Sequence, residues 1–166
     1  MSVMHKITLG LLLVAVTATG ARAISGTATL TGHTSISVNP CGNASRAFTA
    51  SFQLLDDGTW SEQGNVTMSG TYTAVGTKGR KFRLTLDDAS RTTFLGIAQT
   101  EVSQVCRIGV TITGSKQKPS TVVLNRKGTQ VTVTLKYGVS GRAGGRSGHA
   151  VAQIRAKGAW TPTTPG

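Results

Sequence analysis

The sequence predicts an all-β protein, a single antiparallel up-and-down barrel of about 8–9 strands with one α-helix inserted near residues 88–104. Thr, Ser, Val and Gly dominate the chain after residue 23, and this composition favours strands and turns. Apolar and polar side chains alternate through most segments, and clusters of Gly, Asn, Asp or Pro separate them. A barrel is preferred to a sandwich because the long first and last strands could pair and remove both sheet edges.

The first 23 residues have the features of an export signal. A short basic start with His5 and Lys6 precedes an apolar run over residues 7–16 and a small-x-small sequence at residues 21–23. The apolar run is shorter than the roughly 20 residues that cross a bilayer, and no second run of membrane length follows. We therefore expect cleavage after Ala23 and a mature protein that is periplasmic or extracellular and lacks a transmembrane segment.

The mature chain is predicted to form one barrel domain over residues 24–160, followed by a proline-containing, disordered tail over residues 161–166. The clearest strands lie in residues 66–88, where apolar or small side chains alternate with polar ones on both sides of a Gly-Thr-Lys-Gly turn. Residues 26–38 and 46–55 show the same period of two. These segments predict consecutive hairpins with one apolar face.

A different spacing marks the predicted helix. Phe94, Ala98 and Val102 lie four residues apart, which places them on one side of a helix. Asp87 or Asp88 can cap its start, where the helix dipole favours negative charge.

The second half of the domain is again predicted as strands. Residues 126–128, Arg-Lys-Gly, form a hairpin turn between two alternating segments, and residues 149–160 form the last strand. The Gly- and Arg-rich segment between them, residues 138–148, is predicted to be a mobile loop.

The chain contains two cysteines, Cys41 and Cys106. Because an exported protein meets an oxidising environment, the pair predicts a disulfide. Two unpaired, buried thiols are the alternative. A redox-active pair is disfavoured because the two residues are not in a Cys-x-x-Cys arrangement.

The charge of the chain is uneven. The net charge is +12, all six acidic residues lie at or before residue 101, and ten Lys and Arg residues follow Val105. Such a field favours polyanions such as acidic polysaccharide or anionic lipid, although it also serves solubility alone. Nucleic acid is disfavoured because few aromatic residues accompany the basic ones. The turns and loops of the basic half provide the candidate polyanion-binding residues, with solvated hairpin tips as the alternative interpretation: Arg126, Lys127, Arg142 and Arg146.

Alternation does not decide whether the apolar face points into the barrel or toward lipid, since an outer-membrane barrel also alternates. Only eight aromatic residues are available for two interfacial girdles, so an apolar interior is preferred. A hollow interior of a few hundred Å³ could hold a small apolar ligand. The candidate lining residues are Phe48, Phe52, Trp60, Met68 and Tyr72.

No pattern in the sequence predicts catalysis, a metal site or a cofactor. His33 and His149 lie at opposite ends of the mature chain without a spaced cluster of further ligands. The acidic pairs at residues 56–57 and 87–88 lie where a turn and a helix cap are expected, and no Gly-x-Ser-x-Gly elbow is present. We therefore expect a protein that is not an enzyme.

Two resemblances accompany these patterns. The alternating strands and the Gly58-Thr59-Trp60 tripeptide resemble the lipocalin-like, or calycin-like, small barrels, although this tripeptide follows two earlier strands and the helix is not C-terminal. Gly70-Thr71-Tyr72, the basic turn at residues 78–83 and the Leu84–Asp87 run resemble exported bacterial barrels of unassigned function. The second resemblance spans most of the mature chain and implies no catalytic residues.

These observations leave two functions open. The first is an exported, non-enzymatic barrel that binds a small apolar ligand. The alternative is a basic envelope or surface protein that binds acidic polysaccharide or anionic lipid.

Overall fold

The computed structural model describes residues 24–163. The predicted signal peptide, residues 1–23, and the end of the predicted tail, residues 164–166, lie outside the described residues. Within the described range the chain forms ten strands and one helix. In chain order they are β1 (Gly26–Asn39), β2 (Gly42–Leu54), β3 (Thr59–Gln63), β4 (Thr67–Ala74), β5 (Lys81–Leu86), α1 (Asp88–Cys106), β6 (Thr111–Gln117), β7 (Thr121–Leu124), β8 (Gln130–Ala143), β9 (Arg146–Ala159) and β10 (Thr161–Pro162).

Eight of these strands close into an antiparallel barrel, as the sequence predicted. The order β1-β2-β3-β4-β5-β7-β8-β9 returns to the start because β9 pairs with β1 as well as with β8. The other two strands extend existing edges: β6 pairs with β8 beyond β7, and β10 pairs with β1 beyond β9. The inserted helix connects β5 to β6, and it ends two residues later than the predicted boundary.

The apolar side chains of the strands point into the barrel. Leu30, Leu84 and Leu135 are at most 1% exposed, whereas the residues immediately before and after each of them are polar and face outward. The interior is therefore apolar and the outer wall is polar, which is the reverse of an outer-membrane barrel with its apolar outer band and polar lumen. This arrangement decides the orientation that alternation alone left open.

Helix α1 lies against the barrel through the predicted face, with Phe94, Ala98 and Val102 buried. Asp87 caps its start: Oδ1 accepts from the Ser90 backbone N–H at 2.7 Å, and Oδ2 accepts from the Ser69 hydroxyl at 2.6 Å. These hydrogen bonds tie the first turn to β4 and lower the pKa of Asp87, since they favour its ionised form. No helix in residues 24–163 is long and apolar enough to cross a membrane.

The predicted disulfide is present between Cys41 and Cys106, whose Cα atoms are 5.0 Å apart. Cys41 lies in the turn between β1 and β2, and Cys106 is the last residue of α1. The bond therefore fastens the end of the helix to one end of the barrel. A disulfide of this kind fits an oxidising compartment.

Two predicted irregular segments are more regular in the structure. The predicted mobile loop at residues 138–148 is the end of β8 and the start of β9, joined by a two-residue turn. Gly144 and Gly145 form the turn and have φ of 53° and 78°. Positive φ values favour glycine, so glycines replace the alternating apolar and polar residues at this turn. The predicted disordered tail begins with β10, where Thr161 pairs with Thr27 and Pro162 with Gly26.

Candidate ligand-binding cavity

An apolar cavity lies between α1 and one end of the barrel. It exists because β2 is much longer than its neighbour: β3 pairs only with Ser51–Leu54, so the remaining edge of β2 has no strand beside it on that side within the described chain. Helix α1 covers this gap and leaves a cavity of about 200 Å³.

The walls of the cavity are mostly apolar. They come from six separate elements, β1, β2, β3, β4, α1 and β9, so the closed barrel and the docked helix are both needed to form them. The larger apolar lining side chains are Ile36, Phe48, Met68, Phe94, Ile97 and Ile154.

Glu62 supplies a carboxyl group to this apolar cavity. On β3 the side chains of Trp60 and Glu62 point inward, and Glu62 lies opposite Phe52 on β2 and Met68 on β4. Glu62 is 4% exposed, and its Oε2 atom has no hydrogen-bond partner among residues 24–163. A buried acceptor without a donor costs folding free energy. The Oε2 atom of Glu62 therefore marks a position in the cavity where a hydrogen-bond donor from a ligand would be favourable.

Burial raises the pKa of Glu62 to about 7. The cause is desolvation, because the apolar surroundings disfavour the charged carboxylate. The carboxyl group can therefore take up or release a proton near neutral pH. A ligand in the cavity can therefore meet either the neutral or the ionised form of Glu62.

The mouth of the cavity carries an ion pair. Arg46 Nη2 on β2 lies 3.1 Å from Glu101 Oε1 on α1, and the same nitrogen donates to Gln104 Oε1 at 2.9 Å. Arg46 and Glu101 both line the cavity. Together with the Cys41–Cys106 disulfide, these contacts hold the C-terminal half of α1 over the opening.

The structure divides the five predicted lining residues into two groups. Phe48 and Met68 line the cavity, whereas Phe52, Trp60 and Tyr72 pack in the filled part of the interior. In that part the Trp60 indole N–H donates to the Thr85 carbonyl at 3.2 Å.

The Tyr72 hydroxyl lies 2.6 Å from the Ile24 carbonyl oxygen and also contacts the Leu55 carbonyl. The hydroxyl group of Tyr72 is therefore already hydrogen-bonded within the protein, and burial raises its pKa above the ordinary value for tyrosine.

Apart from Phe48 and Met68, the cavity residues were not nominated by the sequence, and Glu62 and Phe94 are two of them. The signal for Glu62 was its position two residues after Trp60, on the inward side of an alternating segment. Phe94 was assigned to the helix face, but only docking of the helix over the β2 edge brings it to the cavity.

The four predicted polyanion-binding residues do not form one surface. Arg126 and Lys127 lie in the turn before β8, whereas Arg142 and Arg146 lie beside the turn that follows it. Because a strand rises about 3.4 Å per residue, the length of β8 separates the two pairs by roughly 40 Å.

Barrel closure instead brings other basic residues together on the outer wall. In one row of paired residues, Arg83 on β5, Thr121 on β7, Thr134 on β8, Arg155 on β9 and His33 on β1 follow one another around the barrel. Arg83 and Arg155 are three strand spacings apart, which is roughly 14 Å.

The adjacent row has the same character, with Lys81 on β5 and Lys157 on β9 separated by Val123 and Thr132. These basic side chains are exposed, and both ion pairs found in residues 24–163 lie elsewhere, at Arg46–Glu101 and Arg91–Asp88. We call this surface the basic wall; it consists of Lys81, Arg83, Arg155 and Lys157.

The histidines remain apart from each other. His33 lies beside Arg155, and His149 lies beside Asn39 and within 3.1 Å of the Ser140 hydroxyl. Residues 24–163 contain no group of three or more His, Cys, Asp or Glu side chains that could hold a metal ion.

Comparison of the chain with protein-family models, with curated proteins and with solved structures gave no match. The closed eight-stranded antiparallel barrel is the feature of the predicted resemblance that the structure shows.

Proposed function

We propose that this protein is an exported, non-enzymatic binding protein that holds a small apolar ligand between α1 and the barrel. The single observation that supports this function is the apolar cavity of about 200 Å³, whose lining contains a buried carboxyl group without a partner among the described residues. Apolar walls with a few placed polar groups are typical of small-molecule sites. The resemblance to lipocalin-like barrels is consistent with this function.

The volume limits the size of the ligand. An apolar cavity of about 150 Å³ is large enough for benzene. Drug-sized ligands occupy pockets of roughly 300 Å³ or more. A cavity of about 200 Å³ therefore suits a molecule of about six to nine non-hydrogen atoms, or one end of a longer chain.

Export is supported by the Cys41–Cys106 disulfide together with the signal-like features of residues 1–23. An oxidising compartment keeps the bond intact, and the bond holds the helix that covers the cavity.

The function can be tested with benzene, 1-hexanol and n-hexylamine as probes, by calorimetric titration and by NMR chemical-shift mapping on the mature protein. We expect at least one probe to bind with saturation and to shift the signals of Met68 and Ile154. Ala98→Leu should weaken binding about tenfold or more because the added atoms enter the cavity.

Ala89→Leu is the matched control, since it makes the same substitution on an exposed position of the same helix. It should leave probe binding unchanged. Absence of saturable binding for all three probes to folded protein would contradict the proposed function.

A second candidate function is binding of an acidic polysaccharide on the basic wall. It is supported by exposed basic side chains on neighbouring strands without ion-pair partners among the described residues. A shallow groove beside the wall, lined by His33, Arg155 and Lys157, could follow an extended polymer. Exposed charges of this kind attract polyanions in a salt-dependent manner.

Heparin chromatography distinguishes the wall from the residues nominated by sequence. Replacing Arg83, Arg155 and Lys157 by Gln should lower the salt concentration needed for elution. Replacing Arg126, Lys127 and Arg142 by Gln removes the same charge and should have the smaller effect. A larger effect of the Arg126, Lys127 and Arg142 replacements would favour polyanion binding at the ends of the barrel. Equal effects of the two sets would mean that net charge alone governs retention. Binding to phosphatidylglycerol vesicles without binding to heparin would favour anionic lipid.

A further inference from the structure

We propose that Glu62 anchors the polar end of the ligand, and that this ligand is a small apolar molecule that ends in a protonated amine. The inference rests on the binding function proposed above and specifies its ligand class. It is supported by the position of Glu62 on the inward face of β3, by its burial and by its Oε2 atom, which has no hydrogen-bond partner in residues 24–163.

The surroundings of Glu62 provide no compensating charge. Of the described residues that line the cavity, the other charged ones are Arg46 and Glu101, and these pair with each other at 3.1 Å. Arg46 also donates to Gln104, which directs its guanidinium toward the helix surface. A cation that pairs with the ionised form of Glu62 would therefore come from another source, and a ligand in the cavity is suitably placed.

An amine meets this requirement better than other polar ends. A protonated amine donates hydrogen bonds and carries the opposite charge, and charge-assisted hydrogen bonds are roughly twice as strong as neutral ones. An alcohol can donate one hydrogen bond but leaves the buried charge uncompensated. A carboxylate ligand would place a second negative charge beside the first and is expected to be excluded.

The test compares three probes of equal length, n-hexylamine, 1-hexanol and hexanoate, by calorimetric titration at neutral pH. We expect the protein to bind hexylamine about tenfold or more tightly than hexanol and to bind hexanoate least. Glu62→Gln keeps the size of the side chain. It should remove the preference for the amine but leave the binding of hexanol intact. Asp56→Asn removes one exposed carboxylate outside the cavity and should preserve the preference.

The possible outcomes separate the two proposals. If hexanol binds in the cavity and hexylamine binds no more tightly, the binding function stands and the amine assignment is overturned. The assignment is also overturned if Glu62→Gln leaves the preference intact, because the amine would then be recognised elsewhere. If no probe binds, the proposed binding function is contradicted, and the amine assignment, which rests on it, falls with it.

The possibility that Glu62→Gln unfolds is covered by recording its unfolding curve and by a second variant. Glu62→Met places an apolar side chain of similar length at this position. It should favour hexanol over hexylamine, whereas a retained amine preference would contradict the proposal.

Discussion

Arg46 and Glu101 form an ion pair, with Nη2 and Oε1 3.1 Å apart, that joins the unpaired edge of β2 to the helix covering the cavity. The side chains are 62% and 21% exposed, so solvent screens their attraction. An exposed pair of this kind contributes at most about 1 kcal/mol to stability. The ion pair therefore serves mainly to hold the helix over the cavity and contributes little to the stability of the whole fold.

A double-mutant cycle with Arg46→Gln and Glu101→Gln, measured by urea unfolding, should give a coupling energy of no more than about 1 kcal/mol. The Asp88–Arg91 pair, at 3.0 Å within the first turn of α1, provides a comparison of the same kind. If a probe binds the cavity, its dissociation from Arg46→Gln should be faster. A coupling energy above about 2 kcal/mol would show that the pair supports the whole fold.

The Cys41–Cys106 disulfide should contribute more to stability than the ion pair. The bond spans 65 positions of the sequence, and the loss of chain entropy in the unfolded state then corresponds to about 4 kcal/mol. We expect the Cys41→Ser, Cys106→Ser double variant to lose about this much free energy of unfolding in urea titrations. A loss below about 1 kcal/mol would mean that the other contacts of α1 suffice to hold it.

Glu62 should make the stability of the protein depend on pH. Its folded-state pKa of about 7 lies above the ordinary value of 4.5, so the folded protein retains a proton that the unfolded chain releases. The free energy of unfolding should therefore fall by about 3 kcal/mol as the pH rises from 4.5 to 7.

Glu62→Gln should abolish this component and should be more stable than the original protein at pH 8. Urea unfolding at several pH values measures the difference, and Asp56→Asn serves as an exposed control. An unchanged pH profile in Glu62→Gln would show that Glu62 is hydrated or paired in solution.

Two glycines should respond in opposite ways to substitution by Ala. A Cβ at Gly70 would lie 1.8 Å from the Thr85 carbonyl oxygen on β5, so the backbone of β4 or β5 would have to move. Nothing lies within 4 Å of a Cβ at Gly96, which is in the interior of α1. We expect Gly70→Ala to destabilise the protein by about 2 kcal/mol or more.

Gly96→Ala should stabilise the protein by up to about 1 kcal/mol through helix propensity. Thermal and urea unfolding of the two variants measure the contrast. Similar effects of both substitutions would contradict the close approach of β4 and β5 at Gly70.

Much of the fold could be predicted because it depends on local patterns. Alternation identified the inward residues of β1, β2, β4 and β5, and a spacing of four identified Phe94, Ala98 and Val102 as the buried face of α1. The two cysteines in a chain with signal-like features predicted the disulfide. Glycines were harder to interpret: at residues 138–148 they form a tight hairpin turn with positive φ, where a mobile loop was predicted.

By itself the sequence determined which side of each strand is apolar, where the helix lies and which cysteines are available to pair. Only the tertiary structure decided that Glu62 faces the cavity with Phe48 and Met68, while Trp60 and Tyr72 fill the core elsewhere. It also separated Arg126 from Arg142 and brought Arg83 close to Arg155. The physical reason is that the alternation of one strand fixes its faces, whereas neighbours across strands depend on register, strand length and barrel closure, which the packing of the whole core sets.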